Sequence, residues 1–180
     1  MDPAIHLALR FSFALLLAVS AWHKLRDVRR FRDVIADYDV LPAAFSGAAA
    51  VSVTAAELLS SLALATGLAV AAGGAGAASL FILYAAAIYA NVARGRTGID
   101  CGCMGPAARV PLSGALAIRN VALAATAAML LVPAIPRPMT WADVASALAA
   151  TAALSACWLA SERLLALAPR AAVLRARKRP

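Results

Sequence analysis

The sequence predicts an all-α integral membrane protein with three parts. These are a four-helix transmembrane bundle as core, a fifth, C-terminal transmembrane helix, and a surface amphipathic helix after the first span. Three observations predict it. Of the 180 residues, 63% are hydrophobic and only 14% charged, against about 45–50% and about 25% in an ordinary soluble domain. The apolar residues gather into five runs, each close to or above the roughly 20 residues that cross about 30 Å of hydrocarbon at 1.5 Å per residue. The net charge of +8 comes from arginines that flank those runs. They do not alternate with aromatics as on a nucleic-acid-binding face, so the charge is read as membrane anchoring.

The first run spans Ala4 to Leu25. A signal peptide is the competing interpretation, with Arg10 as its basic end, Phe11–Val19 as apolar core and Val19-Ser20-Ala21 as cleavage site. A retained helix is preferred, because the run begins before Arg10 and a polar surface segment follows it. That segment, "RDVRRFRDVIADYDVL" from Arg26 to Leu41, places Val28, Phe31, Val34, Ile35 and Tyr38 at spacings of three and four. The spacing is that of an amphipathic helix lying on the membrane. The second run covers Ala43 to about Ala72 and the third about Ala75 to Val92. Gly73-Gly74-Ala75-Gly76 is expected to be the turn between them. The fourth covers Pro111 to Ile135, ended by Pro133, Pro136 and Pro138, and the fifth Val144 to about Leu167. Residues 1–135 are thus expected to form the four-helix membrane domain, and 136–180 the fifth helix and a basic tail.

Charge placement predicts an orientation. Fourteen of the 17 Lys and Arg residues fall after the first helix, after the third, or at the C-terminal end. Arg137 stands alone on the other side, and Arg10 and Arg119 lie within helices. The positive-inside rule then puts the N-terminus outside and the C-terminus in the cytoplasm of a bacterial inner-membrane protein.

The chemistry-bearing stretch is Ile99-Asp100-Cys101-Gly102-Cys103-Met104-Gly105, in the polar gap after the third run. Two thiols one residue apart can close a small, strained and readily exchanged disulfide. Gly102 allows the tight backbone, and Gly105 with Pro106 marks a turn. Lys24, Arg94 and Arg96 end helices on the same side, and positive charge there favours the thiolate that attacks disulfides. A metal site needs two more ligands, yet His6 belongs to the other face and His23 is the one nearby imidazole. Inert, buried thiols are the third alternative, for which a polar loop is a poor location. No metal site is therefore expected. Cys157, within an apolar helix, reads as a small packing residue.

Ionisable residues within the bilayer are the other candidates, since they are costly there and commonly functional. Arg10 lies 14 residues before Lys24 and Glu57 lies 14 after Ala43. Both depths come to about 21 Å, which predicts an Arg10–Glu57 ion pair between the first two spans. Arg119 and Asn120 lie about 12 Å below Pro111 by the same arithmetic. They are expected to face a polar cavity beneath the cysteine loop, with Asn91 nearby and Tyr84 and Tyr89 as packing or lining. A proton-handling or quinone-facing role is one expectation for this interior, although no quinone signature is readable.

Taken together, these residues resemble the MauE family, the methylamine utilisation membrane proteins, within the wider DoxX-like group. The resemblance rests on Arg10 and Lys24 bracketing the first helix, Tyr38-Asp39-Val40-Leu41-Pro42, Glu57, and Asn91 with Arg94-Gly95. Asp100-Cys101-Gly102-Cys103-Met104-Gly105 and Arg119-Asn120 complete it. It covers roughly residues 1–132, and the position of Met104 commonly holds an aromatic in the family. It implies a four-helix core and a place in maturing methylamine dehydrogenase, whose small subunit carries several disulfides. It also implies a thioredoxin-like periplasmic partner, MauD. Cys101 and Cys103 are then expected to act as a membrane thiol–disulfide oxidoreductase, with Lys24, Arg94, Asp100, Asn91, Arg119 and Asn120 in support. A periplasmic partner conflicts with cysteines placed at the cytoplasmic face by charge. The alternatives are a non-catalytic assembly factor and, third, a small-solute transporter, for which no inverted repeat is evident.

Overall fold

In the computed structural model, residues 1–99 and 111–177 are described, with backbone alone for 162 and 165–177. Most of the described residues are helical and none forms a β-strand, and five helices are long and apolar enough to cross a membrane. Six α-helices follow in order: α1 (Pro3–Arg26), α2 (Val28–Asp37), α3 (Ser46–Thr66), α4 (Val70–Ala93), α5 (Gly114–Ala128) and α6 (Trp141–Arg177). Single 3-10 turns precede α3 and extend α5 to Leu131.

Local chemistry sets the boundaries. Asp2 caps α1 by accepting from the Ala4 amide (2.8 Å), and Asp27 caps α2 by accepting from the Arg30 amide (3.0 Å). Thr140 and Asp143 form a reciprocal capping box at the start of α6. The expected turn at Gly73–Gly76 is corrected: α4 runs straight through these residues, and the chain reverses at Gly67, whose φ of 77° ends α3 in the left-handed conformation. The α4 glycines serve instead to bring helices close. A Cβ on Gly74 would stand 2.9 Å from Leu130 Cβ and 3.3 Å from the Ala127 carbonyl oxygen, and one on Gly73 would stand 2.9 Å from Leu64 Cγ. Because a backbone carbonyl cannot rotate away, Gly74→Ala is expected to cost about 1–3 kcal/mol through overpacking of α4 on α5. Thermal unfolding in detergent checks this, and an unchanged midpoint would contradict the close approach.

The bundle packs α1 on α3, α3 on α4 and α4 on α5, while α6 lies along α1. Its core is Phe13, Leu17, Leu64, Leu80, Phe81 and Leu130 with small alanines between them. Among apolar spans lipid supplies no hydrophobic drive between helices, so this close packing of small residues holds the bundle. The Thr151 hydroxyl of α6 donates to the Ala8 carbonyl of α1 (3.3 Å) and to its own helix at Ala147 (2.8 Å). Leu148, Leu154 and Leu159 of α6 face outward. Cys157 is also exposed on this helix, which corrects its expected packing role.

Helix alternation gathers α2, the end of α4 and the start of α5 at one end, here called the basic end. At the opposite end the chain terminus is tied down. The Met1 ammonium donates to the Pro133 carbonyl (3.0 Å), and Arg137 bridges Asp2 and Asp143. The Ala4 amide, and next the Arg137 guanidinium, hold the Asp2 carboxyl below its usual range.

Candidate functional site

The site begins with the stripe that α1 presents to the core. Phe13, Leu17, Ala21 and Lys24 recur at spacings of three and four, and all are buried. A lysine near a helix end ordinarily extends toward water. Lys24 does the reverse: its side chain turns back along α1, as helix geometry favours, and it is only 4% exposed. Its ammonium donates to Ser20 Oγ one turn earlier (3.1 Å), to Tyr84 Oη of α4 (3.0 Å) and to Glu57 Oε1 of α3. Ser20 Oγ (2.9 Å) and Tyr84 Oη (2.6 Å) donate to the same Glu57 oxygen. Glu57 is 0% exposed, and its second oxygen, Oε2, has no hydrogen-bond partner among the described residues. The rings of Phe31 (4.9 Å) and Tyr84 (5.0 Å) face the ammonium and complete its enclosure.

This arrangement corrects the expected Arg10–Glu57 pair. The register is fixed by Ser61, whose hydroxyl donates to the Ala14 carbonyl (2.8 Å). With Ser61 opposite Ala14, antiparallel packing sets Glu57 opposite the turn containing Ser20. Arg10 falls level with the end of α3, where its guanidinium lies 2.7 Å from the place a Cβ on Gly67 would occupy. A cation there meets the negative end of the α3 dipole. Depth counted from Ala43 misplaced the pair because that residue is not level with Lys24: with Ser61 opposite Ala14, Lys24 lies opposite about Val51, well inside α3.

Above this network lies α2. Phe31 reaches down to Lys24, while Val34 and Tyr38 pack on Ile88, Leu112 and Leu116 of α4 and α5. The same apolar cluster anchors both stems of the segment that holds the cysteines. The Leu112 amide donates to the Thr97 (3.1 Å) and Ile99 (3.2 Å) carbonyls. Arg94 Nη1 donates to the Asp39 carbonyl (3.1 Å). Arg96 donates to Asp39 Oδ2 (3.2 Å) and the Asp37 carbonyl (3.0 Å). These contacts hold Asp39 at a φ of 49°, a conformation aspartate tolerates better than most residues. Between α2 and the stems runs a cleft of about 390 Å³ lined by Arg30, Asp33, Asp37, Gly98, Ile99 and Pro111. Asp100, Cys101 and Cys103 themselves lie outside the described residues.

Since the Arg96–Asp39 pair is solvent-exposed, Arg96→Ala is expected to change stability by less than about 1 kcal/mol. It is expected to speed hydrogen exchange at the Leu112 amide, and unchanged exchange would show that the clamp does not hold the stems.

The remaining candidates do not converge. Arg119 and Asn120 are adjacent and point about 100° apart. Arg119 stacks its guanidinium 4.4 Å from the Trp158 ring of α6, while buried Asn120 donates to its own helix at Leu116 (2.8 Å). Asn91, 0% exposed, donates to the Ala87 carbonyl (3.1 Å), and its Oδ1 has no partner among the described residues. Its backbone carbonyl accepts from the Arg94 and Arg96 amides, so it sits at the root of the clamp. Tyr89 is exposed. Ser20 and Phe31 were not anticipated as site residues, although their spacing from Lys24 and Val34 on the inward stripes was a readable signal. No group of three or more His, Cys, Asp or Glu that could hold a metal occurs among the described residues.

Comparison with known proteins matches residues 2–133 to the family described as methylamine utilisation protein MauE. The chain belongs to the MauE family. MauE of Paracoccus denitrificans is 38% identical over 127 residues, covering 71% of this chain and 68% of that protein. MauE of Methylophilus methylotrophus is 33% identical over 167 residues, covering 91% and 87% respectively. MauE of Paracoccus versutus is 36% identical over 155 residues, covering 85% and 83%. The match extends past the family region into α6 for the second of these MauE proteins. No solved structure matches the chain.

Proposed function

We propose that this membrane protein supports disulfide formation in an exported protein of methylamine utilisation, with Cys101 and Cys103 as its redox pair. The observation that carries the proposal is the anchoring of the segment between Ile99 and Pro111. Its stems are joined through Leu112 and clamped to α2 by Arg94 and Arg96. The C-G-C pair falls in the sequence between these two fixed stems, in a polar stretch with basic neighbours, a composition that favours the thiolate. In the exchange, a thiolate of the partner attacks the Cys101–Cys103 disulfide and forms a mixed disulfide, releasing one cysteine as thiolate. The partner's second thiolate then displaces the remaining cysteine. The partner leaves with a disulfide, and Cys101 and Cys103 gain its two electrons as thiols. A quinone carried in the lipid is the class of acceptor proposed to reoxidise the pair.

The charge rule orients the basic end toward the cytoplasm of a bacterial inner membrane, with the N-terminus outside. A thioredoxin-like protein is the partner class that fits the exchange, and the orientation decides on which side it acts. Labelling Cys101 and Cys103 in intact cells with a membrane-impermeant thiol reagent tests both points. Protection until the membrane is opened supports a cytoplasmic pair. Labelling in intact cells supports a periplasmic one and overturns the charge-based orientation. A Cys101→Ser protein with unchanged partner maturation removes the redox mechanism. That outcome favours the second reading, a non-catalytic assembly factor that holds a partner segment in the cleft between α2 and the stems.

A further inference from the structure

The Ser20–Lys24–Glu57–Tyr84 network has a feature that a purely structural ion pair does not need. Three donors from two helices converge on a single carboxylate oxygen, Glu57 Oε1, while the fully buried Oε2 receives none among the described residues. A carboxylate that only ties helices together is best held through both oxygens, as in a bidentate pair. Here half of its accepting capacity stays open inside the bilayer, where ionisable groups are functional by default. Its three partners are an ammonium, a phenol and a hydroxyl, each able to pass a proton along the hydrogen bonds that already join them.

Access is one-sided. Toward the opposite end the network is closed by Leu17, Leu64, Leu80 and Phe81, all 5% exposed or less. Toward the basic end it finishes at Lys24, in the last turn of α1, and the only ring of α2 placed over it is Phe31. The titratable groups facing Glu57 are Lys24 from α1 and Tyr84 from α4. From α2 the contact with the network is the Phe31 ring, which carries no charge.

We propose that this network is an intramembrane proton-binding site, with Glu57 Oε2 as the accepting atom, reached from the basic end past the buried Lys24 when the Phe31 ring over it moves aside. A hydronium ion gives its proton to Oε2, forming the O–H bond and leaving water, and the Lys24–Glu57 pair changes from neutral to a single positive charge. The Lys24 ammonium then loses its counter-charge, which loosens the tie between α1 and α3 until the proton returns. This chemistry does not depend on Cys101 or Cys103.

Infrared spectroscopy of the full chain in lipid nanodiscs, titrated across the pH range in which it stays folded, tests the proposal. Wild type is expected to show a carboxylic-acid carbonyl band that grows as pH falls, and Glu57→Gln is expected to lose it. Should Glu57→Gln fail to fold, Tyr84→Phe assigns the band, because removing one donor to the carboxyl shifts its frequency. Phe31→Ala is expected to speed the hydrogen–deuterium exchange of the band. Absence of a pH-dependent band, or a band unaltered in both Glu57→Gln and Tyr84→Phe, overturns the site. Unchanged exchange in Phe31→Ala overturns the gate.

Discussion

Lys24→Met is expected to destabilise the protein by about 3–5 kcal/mol, the cost of breaking a buried ion pair by removing one partner. The expectation follows from the enclosure: Lys24 and Glu57 are almost wholly removed from solvent, so neither charge can fall back on water. Methionine keeps the length and fills the space but leaves a buried carboxylate with only two hydroxyl donors, Ser20 and Tyr84. The double variant Lys24→Met/Glu57→Leu is expected to recover most of the loss, because the desolvation cost of the two charges disappears together. Thermal unfolding in detergent, read through the near-UV signal of the aromatic side chains, separates the cases. If the single variant lies within about 1 kcal/mol of wild type, the pair is not isolated from water as described. If the double variant is as weak as the single, packing rather than charge holds α1 on α3.

The second large effect concerns the cysteines. Replacing either Cys101 or Cys103 by serine is expected to abolish turnover of a thiol–disulfide partner, since a hydroxyl neither attacks a disulfide nor leaves as a stable anion at neutral pH. The two variants are expected to differ in one respect. Neither variant can form the disulfide that the partner attacks, but the one that keeps the cysteine bonded to the partner in the mixed disulfide traps an oxidised partner by the reverse attack, because no second thiol releases it, whereas the other traps none. Non-reducing electrophoresis of membranes from cells expressing each variant shows which cysteine bonds to the partner. Cys157→Ser serves as the control and is expected to leave turnover unchanged, since that thiol stands on the outer face of α6. Mixed disulfides that survive in the double Cys101/Cys103 variant would assign the chemistry to Cys157.

The bilayer made much of the architecture legible. Five apolar runs had to be helices, because no other open structure satisfies its backbone in lipid, and the 26–41 segment announced a surface helix through its three- and four-residue spacing. What hydropathy cannot carry is register. Glu57 was recognised as an inward ionisable group, yet its partner depended on where α3 starts and on the Ser61–Ala14 contact, neither of which has a sequence signature. Gly73–Gly76 was misread for a related reason. Glycine marks both chain reversal and close helix approach, and within a long apolar run the second meaning prevailed. Lys24 could have been placed inside from the Phe13–Leu17–Ala21–Lys24 stripe. Its position beside other basic residues instead suggested service to the thiols. Arg94, expected to support the cysteines, donates to the Asp39 carbonyl, and its relation to the cysteines lies outside the described residues.

Cys101 and Cys103 are proposed to cycle between dithiol and disulfide. Alkylation of the full chain in native membranes with a mass-adding thiol reagent tests this cycle most directly, because the three cysteines of the sequence allow the labels to be counted. Two interconverting forms are expected: one that takes three labels after reduction, and one that takes a single label, on Cys157, before it. A chain that takes three labels under every condition, including exposure to a mild oxidant, would contradict the cycle.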